Sequence, residues 1–194
     1  MKKYVFSILI VSNLFSQSGL TVIGGLNMSN IIFNDDDITK EVDIYTRNGV
    51  NIGLEGRTAN YIAGTSFVQR GTVVKWVYLD YNFDAYDVYN YFSLHILYPI
   101  SIGTRFEGFG GIQTGFGLFG ETYEEGAGNI DSEVLSTDFF GVEAGYLIGA
   151  SFMLNEKFGI RASYYLGLTD VVKDYDVDEN YKNNTISLLG LMKL

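Results

Sequence analysis

Cysteine is absent from the 194-residue chain, proline occurs once at Pro99, and histidine once at His95. The missing cysteine excludes disulfides and thiolate metal sites, and it suits a chain that passes through an oxidising compartment. A single histidine excludes motifs that need two, such as H-E-x-x-H. Cations are scarce too: 13 Lys and Arg face 23 Asp and Glu, a formal charge of −10. That balance argues against sequence-independent nucleic-acid binding, which runs on clustered Lys and Arg. Beyond the N-terminus, no apolar run reaches the roughly 18 residues that a membrane helix requires.

What the chain has instead is 15 Tyr, 14 Phe and 23 Gly, a composition suited to strands that curve and pack closely. Its length gives room for one domain with a substantial core. Met1-Lys2-Lys3 forms a positive start, Tyr4 to Phe15 an apolar stretch, and Ser16-Gln17-Ser18 a small, polar exit. This layout predicts a secretory signal peptide over residues 1–16, cleaved after Ser16, with one barrel domain over 17–194. Leu14 departs from the small residue usual three positions before the cut. No cysteine follows to carry a lipid anchor.

The remainder alternates with period two. Strands are expected near Leu20–Ile32, Arg47–Arg57, Ile62–Leu79, Val88–Tyr98, Gly103–Gly120, Phe139–Leu154, Phe158–Thr169 and Asn184–Leu194. Each matches or exceeds the roughly 9–11 residues a tilted strand needs to cross a bilayer. Val50, Ile52 and Leu54 share one face, while Asn51, Gly53, Glu55 and Arg57 share the other. Phe158, Ile160, Ala162, Tyr164, Leu166 and Leu168 likewise oppose Gly159, Arg161, Ser163, Tyr165 and Gly167. Successive side chains point to opposite faces of a strand. An apolar face set against a face of Gly, Ser and isolated charges predicts lipid outside and a narrow polar lumen inside.

Connections alternate in length. Short ones fall at Thr58–Tyr61, Pro99–Ile102 and Asn155–Lys157; long ones at Phe33–Thr46, Asp80–Asp87, Glu121–Asp138 and Asp170–Asn183. The expected fold is therefore all-β: an eight-stranded antiparallel up-and-down transmembrane β-barrel with short periplasmic turns and long outer loops. Every acidic residue except Glu55, Glu107, Glu143 and Glu156 lies in a long connection, with only Lys40, Lys173 and Lys182 there to balance them.

The stretch from Gly49 to Leu194 resembles the small outer-membrane β-barrel domains of the OmpA-like, porin-family and PorT-type kind. The resemblance rests on the order of Gly49-Val-Asn-Ile-Gly-Leu-Glu, Gly64-Thr-Ser-Phe-Val-Gln-Arg-Gly71, Tyr89-Asn-Tyr-Phe-Ser-Leu-His-Ile-Leu-Tyr-Pro, Gly108-Phe-Gly-Gly-Ile-Gln-Thr-Gly-Phe-Gly and Tyr164-Tyr-Leu-Gly-Leu-Thr-Asp. It implies the bacterial outer membrane as location, with outer-membrane lipid and the barrel-assembly machinery as partners. Such barrels usually end in an aromatic residue, whereas this chain ends Leu191-Met-Lys-Leu194.

Several motifs are weighed and set aside. Gly115-Phe-Gly-Leu-Phe-Gly120 matches G-x-G-x-x-G, but a nucleotide site requires a helix to start within it, and this is a strand-like run. Asp174, Asp176 and Asp178 resemble the start of a calcium loop, yet Glu179 stands where Gly is needed and Thr185 where a bidentate Glu belongs. Asp35, Asp36 and Asp37 offer at most loose divalent binding. Ser93 and His95 share a face, which raises a lipid-modifying hydrolase, but a nucleophile–base pair also needs an orienting group. No catalytic, cofactor-binding or metal residue is therefore assigned, and the chain is read as no enzyme. The residues that stand out are six internal charges: Glu55, Arg57, Arg105, Glu107, Glu143 and Arg161. Buried charges are normally paired, so they are expected to form a salt-bridged plug rather than a pore lining, since eight strands enclose little more than side chains. The expected function is structural or surface-interacting, through acidic outer loops and a surface ligand or protein partner of undetermined kind. A narrow pore, a lipid-modifying enzyme and a soluble lipocalin-like barrel are the alternatives.

Overall fold

The computed structural model describes residues 19–33, 42–78, 81–126, 129–135, 141–170 and 181–194. Among the described residues nine strands are formed: β1 (Leu20–Phe33), β2 (Val42–Arg57), β3 (Ile62–Tyr78), β4 (Tyr81–Ser101), β5 (Phe106–Gly126), β6 (Asn129–Leu135), β7 (Val142–Met153), β8 (Phe158–Gly167) and β9 (Tyr181–Lys193). All pairings are antiparallel. Eight strands close into a ring in the order β1-β2-β3-β4-β5-β7-β8-β9, with β9 pairing back onto β1. The fold is the expected eight-stranded barrel. β6 is the addition: it pairs only with the far half of β5, from Gly120 to Gly126, while β7 takes the near half, from Phe106 to Phe116. Residues 1–16, expected to be a signal peptide, and the aspartates at 35–37 and 174–178 lie outside the described residues.

The period-two pattern decides which way the wall faces. Outward positions hold Leu26 (66% exposed), Ile52 (59%), Ile96, Ile112, Ile148 and Leu188. Aromatic residues flank this aliphatic band, with Tyr98, Phe106 and Phe158 toward the short turns and Tyr45, Phe119 and Tyr123 toward the other end. Between them no described outward position is charged. Exposed apolar surface of this extent would not be tolerated in water. An apolar band between aromatic girdles is the lipid-facing surface of a membrane barrel.

The short turns are closed by local bonds. Thr58 N–H donates to the Tyr61 carbonyl (2.9 Å), and Asn155 Oδ1 accepts from the N–H groups of Lys157 (2.9 Å) and Phe158 (2.8 Å), a side-chain turn of the kind Asn favours. Between β4 and β5 the backbone reverses with Gly103 at φ 105°, a conformation open chiefly to glycine. Arg105 therefore belongs to this turn and not to a strand. Pro99 lies within β4, but β3 stops pairing at Leu97, so the missing N–H sits where one side of the strand is already unpartnered.

Two of the expected long loops are largely strand. Asp80–Asp87 was expected to be a loop; instead β4 starts at Tyr81 and pairs with β3 up to Tyr78↔Tyr81. Within Glu121–Asp138, β5 continues to Gly126 and β6 folds back along it. Acidic composition suggested loops, but Asp84, Glu121, Glu125, Asp131 and Glu133 stand on strands that have left the membrane, where charge costs little. β4 and β5 are 21 residues each, about twice the length needed to span. β7 and β8 are 12 and 10. The wall is consequently tall across β2–β6 and low at β7–β8.

Candidate functional site: the charged lumen

Glu55, Ser93, His95, Glu143 and Arg161 all point inward and are buried. Charged side chains fit inside so narrow a barrel because glycine lies beside them. Glu55, Gly64 and His95 form one row across β2, β3 and β4. A Cβ on Gly64 would lie 2.5 Å from His95 Nε2 and 2.8 Å from Glu55 Cγ. With no side chain between them, the two meet over the glycine, and His95 Nε2 lies 2.9 Å from Glu55 Oε1. Arg161 reaches the same carboxylate oxygen from β8, on the opposite wall, while its Nε–H donates to Ser151 Oγ (3.1 Å) and its guanidinium covers the Phe109 ring at 4.8 Å.

A second cluster sits nearer the loop end. Glu143 faces Gly115 across the β5–β7 ladder, and a Cβ there would lie 2.7 Å from the carboxylate. Arg70 pairs with Glu143 Oε1 from across the lumen, and both side chains are 1% exposed. Asn183 Nδ2–H donates to Oε2 (2.8 Å). The Arg70 guanidinium lies 3.9 Å from the Tyr165 ring centroid and 5.8 Å from that of Tyr91, a cation–π setting that favours Arg away from water. Between the two clusters the lumen narrows to a void of about 20 Å³, room for one water at most.

The six charges expected to form one network are thus divided. Glu55–Arg161 and Arg57–Glu107 are pairs. Glu143 has a partner, but it is Arg70, which lay unremarked in the third strand. Arg105 lines the mouth at the turn end and makes no ion pair among the described residues. Arg57 donates to Glu107 Oε1 (2.8 Å) and also contacts Oε2, at the rim. His95, set beside Ser93 as a base or else as a lumen-facing histidine bonded to another strand, is a third member of the Glu55 group. Among the described residues Ser93 Oγ finds no hydrogen-bond partner, and it is fully enclosed. The lumen is also less polar than expected. Ile23, Leu189 and Leu191 form one small apolar cluster near the turn end, and Ile62, Leu97 and Phe109 another. The Gly115–Gly120 run lies inside β5, where Leu118 is passed over in the pairing with β4; this is strand geometry with no helix following.

This closed, lipid-banded ring is the architecture of the small bacterial outer-membrane β-barrels. No protein-family model matches the chain, and no curated protein matches it. Among solved structures it is similar to Neisserial surface protein A, at 11% identity and TM-score 0.55, covering 90% of this chain and 97% of that one. It is also similar to Ail, the attachment invasion locus protein of Yersinia pestis, at 17% identity and TM-score 0.51, covering 91% and 99%. A second Ail structure, in complex with the heparin analogue sucrose octasulfate, aligns at 16% identity and TM-score 0.53, covering 92% and 100%. At these identities the likeness is one of fold.

Proposed function

We propose that the protein is a non-conducting outer-membrane barrel whose working surface is the acidic sheet β2–β6 beyond the bilayer, presented to a surface ligand or protein outside the cell. The observation that carries this reading is the contrast between a filled lumen and an extended wall. Two cross-lumen ion pairs with a void of about 20 Å³ between them support a lumen closed to hydrated ions. The tall strands carry Asp84, Glu121, Glu125, Asp131 and Glu133 away from the membrane. The short turns face the periplasm, as in other barrels of this kind, and residues 1–16 are removed on export. The anionic heparin analogue named for Ail does not suit a chain of charge −10; a cationic or divalent-bridged partner does. The lipid-modifying enzyme has little support, because Ser93 and His95 are buried within the lumen.

Two measurements test the reading together. Planar-bilayer recordings of the refolded protein should give no steady open-channel current. A tag inserted at the β5–β6 turn should be labelled on intact cells. Large sustained currents would instead establish a pore, and labelling only after the outer membrane is opened would reverse the orientation.

A further inference from the structure

Four of the cations at the turn end stand out in so acidic a chain. Arg57, Arg105, Arg161 and Lys193 line a cavity of about 200 Å³ at the barrel mouth, with only Glu55 and Glu107 to oppose them. Arg161 is committed to Glu55 and Arg57 to Glu107. Arg105 and Lys193 have no ion-pair partner among the described residues. Lys193 pairs with Thr21 and lies two positions from the buried Leu191, so it is on the inward face. Arg105 stands on the turn fixed by Gly103. Glu55 and Arg161 border both this cavity and the narrow void above it, which makes them its floor. The space is therefore a blind vestibule, closed at its floor by the Glu55–Arg161 pair and open to water at the rim, where Thr104, Arg105 and Lys193 are exposed. Its volume equals about six or seven waters at roughly 30 Å³ each.

We propose that this vestibule binds a small anion carrying carboxylate or phosphate groups, held by Arg105 and Lys193. Arg105 offers the planar fork that matches either group, and Lys193 a point charge opposite it. The hydroxyls of Thr21 and Thr104 line the same space and can donate to the remaining oxygens. The site is separate from the loop-end sheet and holds whether or not that sheet takes a partner.

The test uses the folded barrel in octyl-glucoside micelles, which contain no phosphate, with inorganic phosphate and succinate as probes. Calorimetry should give saturable binding that weakens as salt is raised, and amide NMR shifts should centre on Gly103, Thr104 and Arg105. The double variant R105Q/K193Q should lose at least tenfold in affinity while keeping heat-modifiable migration, and K75Q, at the opposite end, should lose nothing. Repeating the titration in phosphatidylethanolamine vesicles separates the sources. Binding that persists there assigns a free anion. Binding that the vesicles abolish assigns a lipid headgroup phosphate to the same cations. Absence of saturable binding in micelles, or equal binding by R105Q/K193Q, would overturn the proposal.

Discussion

The two buried carboxylates of the lumen are built alike and placed differently. Glu55 and Glu143 each project beside a glycine, and each meets an arginine from the third strand along the ring, across two intervening strands. Glu143 and Arg70 are enclosed by Tyr91, Tyr165 and Asn183. Glu55 and Arg161 form the floor of a cavity open to water. The same pair chemistry therefore has very different access to replacement solvent, and solvent access governs what losing a partner costs. A charge left alone among aromatic rings cannot be hydrated; one beside a vestibule can.

The largest expected effect follows from that difference. Glu143→Ala strands Arg70 and should destabilise the barrel by about 3–5 kcal/mol in urea unfolding from lipid vesicles. Glu55→Ala should cost less, about 2 kcal/mol, because water in the vestibule can take the carboxylate's place beside Arg161. Equal losses would mean that the vestibule does not hydrate Arg161. Gly64→Ala sharpens the point from the other side. Its methyl would force His95 and Glu55 apart without removing either, at roughly 1–3 kcal/mol, measured by the same unfolding. A neutral result would show that the glycine row is not what admits the charges.

The exposed pairs should matter least. Arg57→Ala, at the rim and partly solvated, should cost about 0–1 kcal/mol. On the loop-end hairpin, Lys75 Nζ lies 2.5 Å from Asp84 Oδ2, and this hydrogen bond holds the Asp84 carboxyl below its ordinary value. A depressed carboxylate stabilises the fold above its unfolded pKa, and that contribution is lost as pH falls through the folded one. Since this pair is solvated, acid unfolding should show no step from it. NMR titration should nonetheless place Asp84 below the usual carboxylate range, and Lys75→Gln should return it there.

Much of the barrel was legible because strands inside the bilayer keep a period of two, broken where β5 passes over Leu118. Val50, Ile52 and Leu54 read as outward from spacing alone, and they are outward. Composition misled at Asp80–Asp87 and Glu121–Asp138, where acidic residues suggested loops. Beyond the bilayer a strand needs no apolar face, so the signal that marks strands inside the membrane is missing while the pairing continues. Arg105 was placed on a strand because its turn is set by the single positive φ at Gly103, which the run Ser101–Thr104 does not advertise.

Arg70 shows where local reading ends. It sits inward by parity, and any count of inward charges along the third strand would have found it. Its partner is 73 positions away in sequence, on a strand that β4 and β5 separate from its own. The sequence by itself indicated which residues face lipid, which face the lumen, and that charges buried in the lumen must pair, because alternation and desolvation act residue by residue. Which acid meets which base was decided only by closure of the ring. Strand register fixes the height of each side chain along the axis, and the curvature of the wall brings opposite faces within reach.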